Sequence, residues 1–465
     1  MISSSTSALY RMIWRWHFYA GVFVLPLMVL LSLSGGLFLF KPQVERWEER
    51  AFQTLPLAGA VAPSAQLAAV QAAYPGSKPF YYRLPEHSGD AAMVHVALQG
   101  GAMTDVFVSP QGRVLGALNP DTRIIAVDRR IHGQLLLGRK GSWIVELAAS
   151  WAIVLIVTGL YLWWPRGRGL AGTLWPRLTR GGRVFWRDIH AVTGFWVAGL
   201  ALVLLFTGLP WADAWGSAFK AVRQEMGWMR GPQDWTIGGR PVGGEHADHD
   251  HAAMMAAMPG MAMGAMRLAP DPAQFDRMVR AADTQHLAFP VLVVPPGMPA
   301  GEGGSGAPAR DWVVRSDAQD RPLRVILHYA DDGSLLRRED LASRHPIDRV
   351  VAYGVAWHEG QLLGWVNQLV GLMTAMMLLT MAISGGVMWW RRRPQGELGA
   401  PHRFSTPGRL PGVGAWALLL FLVVWLPLFT LSLLGLLVLE RLVLPFLPGV
   451  ARWLGLVRPL RQSRG

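Results

Sequence analysis

Long apolar stretches alternate with mixed polar segments along this chain. Runs near residues 18–40, 143–164, 191–211, 366–390 and 413–439 each reach about 20 residues with few or no charges, the length that crosses about 30 Å of hydrocarbon. Buried helices of soluble proteins rarely run so long unbroken, so the pattern predicts five membrane spans. The segments between them have other periodicities. Residues 64–74 read as a helix, followed by strand-like runs in "MVHVAL" and "TDVFVSPQGRVLGAL"; residues 271–283 read as another, followed by "FPVLVVP", "RDWVVRS" and "LRVILHYADDGSLLRRE". Gln111-Gly112 and Asp332-Gly333 fall between alternating runs, where hairpin turns are expected. Each intervening segment is therefore expected to be a small α+β module.

The expected boundaries follow from these runs. A first span (1–40) leads to an outer module (41–140), a second span (141–165) and a loop (166–187). A third span (188–211) leads to a second outer module (212–364), which carries a Met/His-rich, low-complexity linker (246–266). A fourth span (365–390), a loop (391–412), a fifth span (413–440) and a basic tail (441–465) complete the chain. The first apolar run is longer than a secretory signal core and continues into "KPQVERWEER" without a small-residue cleavage site, so it reads as a retained anchor.

Composition sharpens this picture. Charged residues make up only 16% of the chain, against about 25% in a typical soluble domain. Cysteine is absent, which removes disulfides, iron–sulfur clusters, thiol catalysis and Cys-x-x-Cys-His haem attachment. Trp14, Trp16, Trp163, Trp164, Trp389 and Trp390 flank the spans, as interfacial aromatic belts do. The net charge of +13 does not point to nucleic acid, because the arginines gather beside spans. Arg11 and Arg15 precede the first; Arg166, Arg168, Arg177, Arg180, Arg183 and Arg187 lie between the second and third; Arg391, Arg392 and Arg393 follow the fourth. The positive-inside rule places these on the cytoplasmic side of the membrane, with the N-terminus inside and both large modules outside. Arg441, Arg452, Arg458, Arg461 and Arg464 break the rule if residues 413–440 cross once. Either the rule fails there, or the run is a re-entrant pair split near Pro427. One span followed by an interfacial helix is the expected arrangement.

The spans repeat. His17 is followed four residues on by Gly21 and seventeen on by Ser34-Gly35; His190 is followed at the same offsets by Gly194 and Thr207-Gly208. His132 and His358 are each followed by a glycine six residues on (Gly138, Gly364), by Thr158-Gly159 or Ser384-Gly385 at twenty-six, and by a Trp-Trp pair at thirty-one. Offsets matched in register indicate a duplicated unit of span, outer domain and span.

A lone histidine at a helix end is usually interfacial or hydrogen-bonded. Here the topology puts His17 and His190 near one face and His132 and His358 near the other, and ionisable groups at membrane depth are costly and usually functional. Two imidazoles on separate helices suit the axial positions of one haem iron, so the four define two haem sites, one per leaflet. The small [Ser/Thr]-Gly steps fall near the depth of the histidines, where a glycine lets a helix backbone approach a flat ring or pack against another helix. Gln134 and Gln361 are candidate partners for the second imidazole nitrogens. Structural zinc fits less well: it takes about four ligands, each pair supplies two, and Asp188 and Glu359 beside His190 and His358 have no counterparts beside the partners. In the linker, His246, His249, His251, Met254, Met255, Met258, Met261 and Met263 form a set suited to copper, with imidazole for Cu(II) and thioether for Cu(I).

The "RWHFYAG…LSLSGG" and "IHGQLLLG…TGLYLWWPR" spans, together with the paired outer modules, resemble the PepSY-associated transmembrane family over roughly residues 10–455. The resemblance implies a membrane α-helical bundle with two PepSY-like α+β modules outside the membrane. It also implies b-type haem and reduction of a ferric siderophore in the periplasm. Some family members are joined to flavoprotein reductase domains. The short loops here contain no glycine-rich dinucleotide fingerprint, so quinol or a separate reductase is expected as donor. Alternatives are a copper or other metal reductase, a non-enzymatic module contacting another protein, and a metal permease, although the spans have few of the polar ligands a permease needs midway.

Overall fold

The computed structural model of the chain describes residues 4–165, 169–228, 236–237, 240–241, 271–299, 308–401 and 413–456. The chain forms two compact units: Met1–Gly36, His132–Ala218 and Leu369–Gly465 in one, and Leu37–Ile131 and Phe219–Gln368 in the other. In chain order the helices and strands begin with α1 (Ser4–Phe38), α2 (Lys41–Glu48) and α3 (Pro63–Ala73). Four strands follow, β1 (Lys78–Arg83), β2 (Ala92–Ala97), β3 (Met103–Val108) and β4 (Val114–Leu118). Then come α4 (Ile124–Gln134), α5 (Gly138–Trp163), α6 (Gly182–Gly208), α7 (Asp213–Glu225) and a two-stranded pair, β5 (Thr236–Ile237) and β6 (Arg240–Pro241). The second module has α8 (Pro272–Thr284), β7 (Val291–Val294), β8 (Trp312–Ser316), β9 (Val325–Tyr329), β10 (Leu335–Asp340) and α9 (Pro346–His358). The chain continues through α10 (Trp365–Arg392), α11 (Val413–Trp425), α12 (Pro427–Val438) and α13 (Pro448–Trp453).

Among the described residues, five helical segments are long and apolar enough to cross a membrane: Leu9–Phe38, Gly138–Trp163, Gly182–Trp211, Trp365–Arg392 and Pro427–Phe446. They leave Phe23, Leu33, Trp196, Leu369 and Leu431 exposed, a surface matched to hydrocarbon rather than water. Contacts fix their directions within the helical unit. His17, early in α1, meets Thr158, late in α5; His190, early in α6, meets Ser384, late in α10. Each of these pairs is antiparallel, and the contact of His17 with His190 puts the starts of α1 and α6 at one end.

The run expected as a single span at 413–440 is instead two helices. Pro427 has no N–H to continue the α11 ladder, and the helix breaks at Leu426. The turn lies beside α5 and the start of α7: Trp215 Nε1 donates to Trp425 O at 3.0 Å and Trp151 Nε1 to Ser432 Oγ at 3.1 Å. Both flanks of this hairpin return to one place. The Arg15 guanidinium donates to Pro401 O before it (3.1 Å) and to Gly455 O after it (3.4 Å), and Tyr19 donates to Leu454 O. Arg452 therefore lies at the same end as Arg15, while Arg458, Arg461 and Arg464 lie outside the described residues.

Glu146 is the acid buried within α5. Its two carboxylate oxygens accept the N–H groups of Ala214 and Trp215 at 2.8 and 3.0 Å. It thus caps the first turn of α7 and offsets that helix's positive end; its burial needs no proton-carrying role.

Among its described residues the sheet unit contains, besides the β5–β6 pair, one eight-stranded antiparallel sheet in the order β10-β9-β8-β7-β1-β2-β3-β4. This is two four-stranded meanders joined through β1 and β7, each preceded by a helix, α3 or α8. Leu67 and Val70 of α3 and Phe275 and Met278 of α8 pack with Tyr82, Val94, Val293, Trp312 and Leu327 in one core. Asp276 joins the helices by accepting from Ser64 N and Oγ, both at 2.8 Å. Gly112 (φ 77°) and Gly333 (φ 91°) occupy the expected hairpin turns, in a region that costs glycine little.

Asp128 on α4 is buried, and its Oδ2 has no hydrogen-bond partner among the described residues; burial pushes its carboxyl up to about 6. Below the ordinary carboxylate range both folded and unfolded states are protonated. As pH rises toward 6 the unfolded chain ionises while the folded one stays neutral, so stability is lost across that window and stays lower above it. Asp128→Asn should remove this dependence: the stability gap between variant and wild type should grow in the variant's favour by on the order of 2 kcal/mol from pH 4 to pH 8. Thermal melts of the detergent-solubilised proteins check this; parallel pH profiles would contradict it.

Candidate metal centre

The twice-repeated histidine motif is a helix end followed by a turn. In "IHGQLLLG", α4 ends at Gln134, and the chain reverses through Leu135 (φ 50°) and Leu136 (φ 59°) to Gly138 (φ 58°), which opens α5. In "WHEGQLLG", α9 ends at His358 and Gly364 has the same φ of 58°. The matched glycines take a left-handed conformation that disfavours side chains, which accounts for their shared offset from the histidines.

His17 and His190 come together. Their ring centroids are 6.5 Å apart and their planes are inclined at 87°. Each ring is tied through Nδ1 to a neighbouring span: His17 Nδ1 lies 2.9 Å from Thr158 Oγ1, and His190 Nδ1 lies 3.2 Å from Ser384 Oγ and 3.1 Å from Met381 O. At the other end His132 Nδ1 lies 2.9 Å from Ser34 Oγ. Thr158, Ser384 and Ser34 are the [Ser/Thr] members of the repeated [Ser/Thr]-Gly steps. His132 Nδ1 faces Ser34, and the Gln361 amide, beside His358 in sequence, donates to Leu39 O and Glu359 O. The informative signal was the fixed spacing from histidine to hydroxyl.

The neighbouring glycines make room for the imidazoles. A methyl on Gly35 would lie 3.0 Å from His132 Cε1; on Gly159, 3.3 Å from His17 Cε1; on Gly385, 3.4 Å from His190 Cε1. Gly21 and Gly194 instead receive Leu155 and Met381, as small residues do where spans pack.

The acids that a zinc site would need have other partners. Asp188, buried next to His190 in sequence, receives Arg177 Nε at 2.7 Å and Arg187 Nη2 at 2.5 Å. Glu359, next to His358, pairs with Arg321 at 3.3 Å. His132 belongs to the helical unit and His358 to the sheet unit. Glu86, His87 and Asp90 gather separately in the sheet unit, but Arg46 already bridges the two acids at 3.1 and 2.9 Å. His246, His249, His251, Met254, Met255, Met258, Met261 and Met263 lie outside the described residues.

These features define a multi-pass membrane protein that combines a helical unit, containing paired intramembrane histidines, with a large antiparallel sheet unit. The family model described as the PepSY-associated TM region matches residues 14–392, and the chain belongs to that family. No curated protein matches the chain.

Proposed function

We propose that the protein is a dihaem metalloreductase of the bacterial inner membrane that passes electrons to a ferric siderophore on the periplasmic side. The observation that carries this reading is the His17–His190 pair. A metal–imidazole bond is about 2 Å, so one ion held between two ring nitrogens sets the ring centroids about 6 Å apart, close to the 6.5 Å between His17 and His190. Their Nδ1 atoms are engaged by Thr158 and Ser384, which leaves Nε2 of each as the ligand atom. The donor set therefore fits a bis-imidazole haem b, which when bound supplies a one-electron couple. His132 and His358 are assigned to the second haem by their shared motif.

Three features support the internal duplication that this pairing requires. The two meanders and their leading helices follow the same order about the β1–β7 junction. Gly138 and Gly364 share one conformation. At matched positions Trp163 Nε1 and Trp389 Nε1 each donate to a loop carbonyl, Thr173 O and Leu398 O, at 2.9 Å. The arginine-rich end, which now includes Arg452, is assigned to the cytoplasm, and the two meanders to PepSY-like periplasmic modules. Quinol or a separate cytoplasmic reductase is the donor in this scheme.

The test is electron transfer in oriented vesicles, with reductant on the arginine-rich side and ferric siderophore on the other. Siderophore iron should be reduced only when the protein is present; protein-independent reduction, or none, contradicts the proposal. Copper reduction or collection is the second metal reading and rests on residues 246–266. Deleting them should leave haem content and insertion intact while abolishing copper binding, as measured by titration; equal copper binding after the deletion would rule the tract out.

A further inference from the structure

The hydroxyls that meet the histidines have another bond each. Thr158 Oγ1 lies 2.7 Å from Val154 O, Ser384 Oγ 2.7 Å from Thr380 O, and Ser34 Oγ 2.9 Å from Leu30 O. A carbonyl oxygen has no proton, so an approach this short requires the hydroxyl proton to lie between the two oxygens. A hydroxyl has a single proton to give. Once it is committed to the carbonyl one turn back, the oxygen can only accept from the imidazole. His190 gives an independent indication: its Nδ1 also lies 3.1 Å from Met381 O, which accepts and never donates.

We infer that Thr158, Ser384 and Ser34 are positioning residues that hold His17, His190 and His132 as the Nδ1–H tautomer, which puts the ring lone pair on Nε2. This rests on the dihaem reading for its use but not for its geometry. The arrangement is reciprocal. α1 supplies His17 and also Ser34, which orients His132; α5 supplies Thr158, which orients His17, and follows directly from His132. α1 is thus both the bearer of one of these histidines and the surface that aims another. Thr207 Oγ1 makes the same bond one turn back, to Val203 O at 2.7 Å, at the fourth position of the pattern. An acceptor on Nδ1–H raises the basicity of Nε2, and losing such a partner costs about 10- to 100-fold in metal affinity. A more basic ligand also favours the oxidised metal.

The experiment compares wild type, Thr158→Val and Thr158→Ser as full-length chains. Valine keeps the size and loses the acceptor; serine restores it. In histidine-15N-labelled wild type, held reduced, the Nδ1–H proton should resonate downfield and exchange slowly with solvent, and both signatures should weaken in the valine variant and return in the serine variant. Redox titration should show one of two haem components moved to higher potential in the valine variant only, with that component lost to apo-haem acceptor about tenfold faster. It should be the component that His17→Ala removes; Ser34→Ala should move the other. If the valine variant keeps the wild-type Nδ1–H signal and potential, or if serine fails to rescue, the inference is overturned. A chain that shows the change in the Nδ1–H signal but binds no haem would leave the positioning role intact and remove the dihaem reading instead.

Discussion

Replacing His190 with alanine is expected to halve the haem bound per chain while the protein still inserts. His190 and His17 face each other at a separation matched to one ion between them, and a single imidazole does not hold a six-coordinate haem. The other site, at the opposite end of α1 and α5, shares no ligand with this one. Loss of the imidazole removes little of what makes α6 a span, because its apolar run lies beyond His190. His17→Ala should have the same effect on the same spectral component. Absorbance of the purified variants, normalised to protein, makes the comparison. Unchanged haem content in both variants would sink the assignment.

His132→Ala or His358→Ala is expected to stop delivery of electrons to external ferric chelate almost completely, while the haem at His17 and His190 still reduces from the arginine-rich side. The pair is assigned to the exit because it falls at the end of the spans that leads into the sheet unit in sequence. A transfer chain broken at its last member leaves the earlier member reducible but with nowhere to pass its electron. Stopped-flow reduction in oriented vesicles, with and without external ferric siderophore, separates the two steps. Reoxidation at the wild-type rate in either variant would show that these residues are not the exit.

Much of the architecture was legible because membrane spans and sheets have strong periodic patterns. The helices at 64–74 and 271–283 and the hairpin turns at Gly112 and Gly333 are found where pattern and turn chemistry place them. β1 was missed: Lys78, Pro79 and Arg83 give its strand no period-two signature, and it is specified by pairing with β2 and β7. The division of residues 413–440 turned on one proline in a run otherwise uniform enough for a single span, and composition could not weigh the break against the long apolar stretch. What decides it is Arg15, nearly 400 residues from the carbonyl of Pro401, a long-range contact with no local trace. At the candidate metal centre the histidines and the hydroxyl–glycine steps were both visible. Their connection was not, because a spacing of twenty-six residues along one half shows nothing of the neighbour each ring faces in the folded bundle.

The most direct test of the account is haem per chain in the purified wild-type protein, measured by pyridine haemochrome against quantitative amino-acid analysis. The account predicts two b-type haems per chain, with a low-spin bis-imidazole spectrum. A well-folded, monodisperse preparation that remains colourless after incubation with excess haem would contradict it.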